Sequence, residues 1–179
     1  MRFFLSLASA ALLASSATAS VTSASDAGFD TVSTVEIAAS PADVYAVLVT
    51  PARWWVAAHS YSGKAANLSI NPQAGGCFCE SLPATALTGA GSVEHARVLY
   101  AQPASTLRLS GALGPLQAEA AVGTLTFTLE PAGQGTKVTM SYVVGGHIRG
   151  GAAAVAPIVD QVMAQQLHGL KAAAEKRAP

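Results

Sequence analysis

The sequence predicts an α+β domain in which a curved antiparallel sheet of six to seven strands wraps around a long C-terminal helix, with two short helices after the first strand. Three observations carry this expectation. Apolar residues recur at every second position late in the chain, with Leu125, Phe127 and Leu129 on one segment and Val138, Met140, Tyr142 and Val144 on the next. Turn chemistry separates them, as in Pro131-Ala132-Gly133-Gln134-Gly135, whose glycines suit a hairpin loop. The chain closes with one long amphipathic stretch, about Pro157 to Lys176. Val159, Val162, Met163, Leu167, Leu170 and Ala174 fall on one side of it, and Gln161, Gln165, His168, Lys171 and Glu175 on the other.

Residues 1–19 read as a signal peptide. Arg2 supplies a positive charge, Phe3 to Leu13 is apolar apart from two serines, and Ala17-Thr18-Ala19 is a small-x-small cleavage site. The apolar run is too short for a membrane span of about 20 residues, and no basic flank follows it. A periplasmic or secreted location without a stable membrane anchor is therefore expected. Residues 20–29 are small and polar and read as a flexible leader. Cleavage leaves about 160 residues, enough for a single domain with a core of its own, assigned to residues 30–177.

Within that domain Thr31 to Ala39 reads as the first strand, with Val35 and Ile37 on one face. Ser40-Pro41-Ala42-Asp43 then offers a helix N-cap, a proline at the first helical position and an acid in the first turn. Pro51 ends that helix, and Ala52 to Ala58 reads as a second one carrying Trp54 and Trp55. Adjacent helical residues diverge by about 100°, so the two indoles are not expected to be equally buried. Further strands are expected at Leu68–Asn71, Cys77–Leu82, Gly91–Ala101, Thr106–Ser110, Val122–Glu130 and Thr136–Val144.

Charge and cysteines narrow the function classes. Only 11% of residues are charged, and the 10 basic side chains balance the 10 acidic ones, which argues against nucleic acid or an anionic membrane as partner. Cys77 and Cys79, the only cysteines, flank Phe78. On a regular strand their Cα atoms would stand about 6.5 Å apart, near the upper end of disulfide geometry, although a bulge would bring them closer. Reduced thiols, a local disulfide and a share in a metal site all stand open, but two ligands do not close a zinc site.

Five stretches carry a family resemblance. Ala39-Ser40-Pro41-Ala42-Asp43-Val44-Tyr45 resembles the opening turn of the START-like, or SRPBCC, helix-grip superfamily, which includes polyketide cyclases and pollen allergens. Pro51-Ala52-Arg53-Trp54-Trp55 is similar to its tryptophan-containing second helix. Ala74-Gly75-Gly76-Cys77-Phe78 and Gly135-Thr136-Lys137-Val138 resemble its glycine lead-ins to the third and last strands. Gly111 to Gln117 resembles a loop of bacterial members. The resemblance implies a helix-grip fold and an apolar small molecule held between sheet and helix, and a minority of members are cyclases, dehydratases or lyases. No catalytic set of the family matches residue by residue.

The expected function is thus an exported protein binding an apolar small molecule. One alternative is a cofactor-independent cyclase, dehydratase or lyase, and another is a cell-envelope interaction module. Candidate ligand contacts are Trp54, Trp55, Tyr61, Leu113, Leu116, Leu125, Phe127, Met140, Tyr142, Met163, Gln166 and Leu167. Candidate catalytic groups are His95, His59 and Tyr142, because an imidazole titrates near neutrality and a phenol can orient it. His95 sits mid-strand, but the alternation from Val93 to Leu99 leaves its face open. Gln166 lies on the apolar arc of the long helix and needs a partner, with Tyr142 or a ligand as the candidates. Gly145 to Gly151, with His147 and Arg149, reads as a glycine-hinged gate, an anion-binding loop or a plain linker. Since the chain carries no nucleophile elbow, zincin helix or dinucleotide fingerprint, no cofactor and no metal are expected. Oligomeric state is left open.

Overall fold

The computed structural model describes residues 18–176. Its strands are β1 (Thr18–Ser25), β2 (Gly28–Ile37), β3 (Leu68–Ile70), β4 (Cys77–Leu82), β5 (Gly91–Gln102), β6 (Thr106–Ser110), β7 (Ala120–Ala132) and β8 (Gly135–His147). They form one antiparallel sheet in the order β1-β2-β8-β7-β6-β5-β4-β3. Helices α1 (Pro41–Leu48) and α2 (Ala152–Glu175) cover its inner face, so the α+β helix-grip architecture holds.

The strand count is eight, above the six to seven expected. The additional strand is β1, which lies where a flexible leader was expected over residues 20–29. Ser25 pairs with Gly28 across the two-residue loop Asp26-Ala27, and the strand runs back along β2 as far as Thr18↔Thr34. From Ser20 to Ser25 only Val21 is drawn toward the core; the rest are exposed. An edge strand of this kind is held by backbone hydrogen bonds, which leave no apolar alternation to read. The expected signal peptide lies outside the described residues, apart from Thr18 and Ala19.

Helix α1 forms as its residues require. Ser40 caps it by accepting from the Asp43 N–H at 3.2 Å, Pro41 opens it, and Val44, Tyr45, Val47 and Leu48 bury its inner side. The second short helix does not form. Pro51–Arg53 and Ala57–His59 are separate 3₁₀ turns, and the backbone between them is not helical. Trp54 and Trp55 therefore escape the helical divergence, and both are buried. Trp54 Nε1 donates to the Leu48 carbonyl and Trp55 Nε1 to that of His59, each at 3.0 Å, while their rings pack on Phe127 and Phe78.

Helix α2 begins at Ala152, earlier than the expected start near Pro157, because the alanine-rich turn before the proline is itself helical. Pro157 is thus inside the helix. Met163, Leu167, Leu170 and Ala174 are buried as expected, His168 is exposed, and Val159 and Val162 are only half-buried. The C-terminal end is tied to β2: Lys171 Nζ donates to the Glu36 carbonyl at 2.6 Å, and the Ala38 N–H donates to Glu175 at 3.1 Å.

At Gly169 the helix meets the tryptophan turn closely enough that a Cβ would lie 2.3 Å from the Trp54 carbonyl oxygen. In an open helix Gly→Ala would add about 0.5–1 kcal/mol. Here Gly169→Ala is expected to lower stability by about 1–3 kcal/mol, read as a fall in the urea midpoint, because backbone must give way.

Candidate functional site

The site is organised by an irregularity in β5. Phe78 pairs with Ala96 and Cys79 with Glu94, so His95 is an extra residue with no partner on β4. Such a bulge breaks the alternation and re-aims side chains. His95 and Ala96 both turn inward, while Glu94 and Arg97 stay exposed. That is why period-two reading left the face of His95 open.

Inside, the His95 ring packs on Phe78 with centroids 4.9 Å apart and lies 5.9 Å from the Tyr61 ring. Its Nε2 is 2.9 Å from Glu80 Oε2. Glu80 was not singled out from the sequence, although alternation in Cys77–Leu82 places it on the face of Phe78, an acid on an apolar side. The carboxylate is fully buried, and it also accepts from the Tyr61 N–H at 3.0 Å and the Ser62 N–H at 2.5 Å. Burial alone would raise its pKa, but the hydrogen bonds from Ser62, Tyr61 and His95 outweigh that and hold it below the usual carboxylate range. Glu80 is therefore an ionised clamp that fastens the loop after Trp55 to the sheet.

That loop is fixed on its other sides too. His59 Nε2 is 2.8 Å from Gln165 Oε1 on α2, the Val56 N–H donates to Gln166 Oε1 at 2.8 Å, and the Tyr61 hydroxyl donates to the Gly114 carbonyl at 2.9 Å. Between this loop, the Leu113–Leu116 segment and the N-terminal half of α2 lies a cleft of about 460 Å³. Of the candidates, Trp55, His59, Tyr61, Leu113, Leu116 and Met163 line it, joined by Val155, Ile158, Val159 and Val162. Tyr61 and Ile158 are more than half exposed and stand at its rim.

The remaining candidates do not meet there. Trp54, Leu125, Phe127, Met140 and Leu167 are packed in the core, away from the cleft, because the inner face of β7 and β8 is filled by its own large side chains. His95 is not in the cleft lining; it touches Tyr61 from the sheet side. Tyr142 is a structural peg: its hydroxyl donates to the Gly111 carbonyl and accepts from the Leu113 N–H, each at 2.9 Å. Its ring occupies the space left by Gly123, and burial pushes its pKa up to about 12. Of the partners offered for Gln166, Tyr142 is not bonded to it. Gln166 Oε1 is taken by Val56, and among the described residues its buried Nε2 has no hydrogen-bond partner.

Arg149 is likewise committed. Its Nε and Nη2 reach the Glu119 carboxylate at 3.0 and 2.8 Å, and its backbone N–H reaches the same group, so the guanidinium is already paired with a carboxylate. Hydrogen bonds from Arg149 hold Glu119 below the usual range. Cys77 and Cys79 are joined as a disulfide with Cα atoms 5.4 Å apart, closer than a regular strand allows. Among the described residues no group of three or more His, Cys, Asp or Glu side chains is placed to hold a metal ion, and no helix is long and apolar enough to cross a membrane.

A sheet gripping a long helix, with an apolar cleft at one end, defines a helix-grip protein of the SRPBCC class. The chain belongs to the family described as polyketide cyclase / dehydrase and lipid transport, which matches residues 29–175. A solved protein from Mesorhizobium loti is 18% identical with a TM-score of 0.59, over 84% of this chain and 99% of that one. One from Rhizobium leguminosarum is 19% identical with a TM-score of 0.56, over 90% and 99%. The di-domain ARO/CYC StfQ of the steffimycin biosynthetic pathway is 14% identical with a TM-score of 0.57, over 83% of this chain and 51% of that one. At these identities the likeness is one of fold. Among curated proteins, none matches the chain.

Because the folded pKa of Glu80 lies below its ordinary value of 4.5, its stabilisation is complete above that pH and is lost as pH falls through the folded value. Glu80→Gln should cost about 1.5–3 kcal/mol at neutral pH through weakened charge-assisted bonds. It should also flatten the acid limb below pH 4.5 in urea unfolding run across pH.

Proposed function

We propose that the protein is exported and binds an apolar small molecule in the cleft between the Trp55–Tyr61 loop, the Leu113–Leu116 segment and α2. The carrying observation is the cleft itself: about 460 Å³, within the roughly 300–1,000 Å³ of ligand sites, and walled mainly by apolar side chains. The Trp55 indole offers a flat wall. The hydroxyl of Tyr61 and the imidazole of His59 provide a polar end that can orient a carbonyl or hydroxyl of the ligand. The two groups are held in place by Gly114 and Gln165, so little ordering cost falls on binding.

Export rests on residues 1–19, and the chain secreted by its own host should begin at Ser20 by N-terminal sequencing. Cleavage there keeps Ser20 to Ser25 of β1.

Native mass spectrometry of host-purified protein should reveal a bound apolar molecule. Val159→Trp, which fills the cleft from its helical wall, should weaken binding of that molecule and of an anilinonaphthalene sulfonate dye at least tenfold, with Tm unchanged within a few degrees. Wild-type protein that binds neither would refute the reading.

A second reading, cofactor-free cyclase or dehydratase chemistry, is favoured by the family description and by the presence of His59 in the cleft lining. It predicts that the recovered ligand loses a water mass on incubation with wild-type protein. Under His59→Ala that rate should drop about 10²-fold or more with binding retained.

A further inference from the structure

On β4, Phe78 and Glu80 point into the core, so Cys77 and Cys79 project from the opposite, convex face, where both are partly exposed. The residues that flank them in register are Ser69 on β3 and Glu94 and Arg97 on β5, all exposed and polar. Glu94 and Arg97 are ion-paired with each other beside the bridge, and both cysteines keep part of their surface exposed. The bridge closes a loop of only three residues, which removes little chain entropy from the unfolded state, so it contributes little as a staple. The sheet around it is held by ladder bonds on both sides, β3 to β4 and β4 to β5.

We propose that Cys77–Cys79 is a thiol–disulfide exchange site, open on the convex face to an external dithiol reductant. The thiolate of the dithiol attacks Cys79 Sγ. A sulfur–sulfur bond forms there, the Cys77–Cys79 bond breaks, and its electron pair leaves on Cys77 Sγ. Cys77 lies directly opposite Arg97 and Cys79 opposite Glu94; the two side chains are ion-paired, but the cationic partner is the one opposite Cys77, which favours the departing thiolate there over Cys79 before it takes a proton from water. The second thiolate of the dithiol then attacks the reductant's own sulfur in the mixed disulfide. This releases Cys79 as a thiolate, which is protonated in turn, and closes the reductant into a cyclic disulfide. Two electrons and two protons pass from the dithiol to the cysteine pair.

The test uses the folded, exported chain at neutral pH without denaturant. Dithiothreitol should expose two alkylatable thiols per chain within minutes, read by mass, while the circular dichroism spectrum stays unchanged. Cys77→Ser should leave Cys79 able to form a one-to-one adduct with oxidised glutathione, which reports the accessibility of that sulfur independently of the bridge. Arg97→Gln should slow reduction about threefold or more. Thiols that appear only in denaturant, or at the rate of global unfolding, would overturn the exchange site. Unchanged kinetics in Arg97→Gln would overturn the assignment of Cys77 as the leaving sulfur.

Discussion

A carboxylate buried in an apolar sheet face is costly unless donors surround it, and the arrangement of the cleft follows from how Glu80 meets that requirement. Its donors come from two places: the His95 ring, turned inward by the bulge in β5, and the consecutive backbone N–H groups of Tyr61 and Ser62. Neither can be lost without leaving charge unsatisfied in the interior. The loop after Trp55, which has no regular structure of its own beyond single 3₁₀ turns, is thereby fixed against the sheet. Gly111 completes the arrangement, since a side chain there would run into the backbone at His95 and Ala96.

With the loop held, the position of the cleft depends on α2. Its C-terminal half carries Leu167, Leu170 and Ala174 into the core and is tied to the end of β2 through Lys171 and Glu175. Toward the N-terminus the apolar face is only partly covered: Val155, Val159 and Val162 are half-buried, and Ile158 is exposed. The middle of the sheet is filled by Trp54, Phe127 and Tyr142, so space remains at one end. A helix packed tightly at one end and loosely at the other can hold a ligand without opening the core. The orphaned amide nitrogen of Gln166 belongs to the same stretch of helix and is the price of using its oxygen to anchor Val56.

Strand β4 serves two faces at once. Its inward residues, Phe78 and Glu80, support the cleft from behind, while its outward residues form the disulfide. The alternation of a strand separates these roles by a single residue.

The sheet with its long helix, the Ser40-capped first helix, the β7–β8 hairpin and the apolar face of α2 from Met163 to Ala174 were legible in the sequence, because period and cap chemistry are local properties. So were six of the residues that line the cleft, Trp55, His59, Tyr61, Leu113, Leu116 and Met163. Strand β1 was not, since edge pairing is made by backbone atoms that every residue shares. The sequence by itself determined which faces are apolar and in what order the elements come. Only the tertiary structure decided that His95 turns inward, that Glu80 is the residue it meets, that both tryptophans are buried and that Tyr142 holds a loop. Each of these depends on a bulge, a turn or a contact between distant segments, where the free energy of satisfying a buried polar group or filling a gap overrides local periodicity.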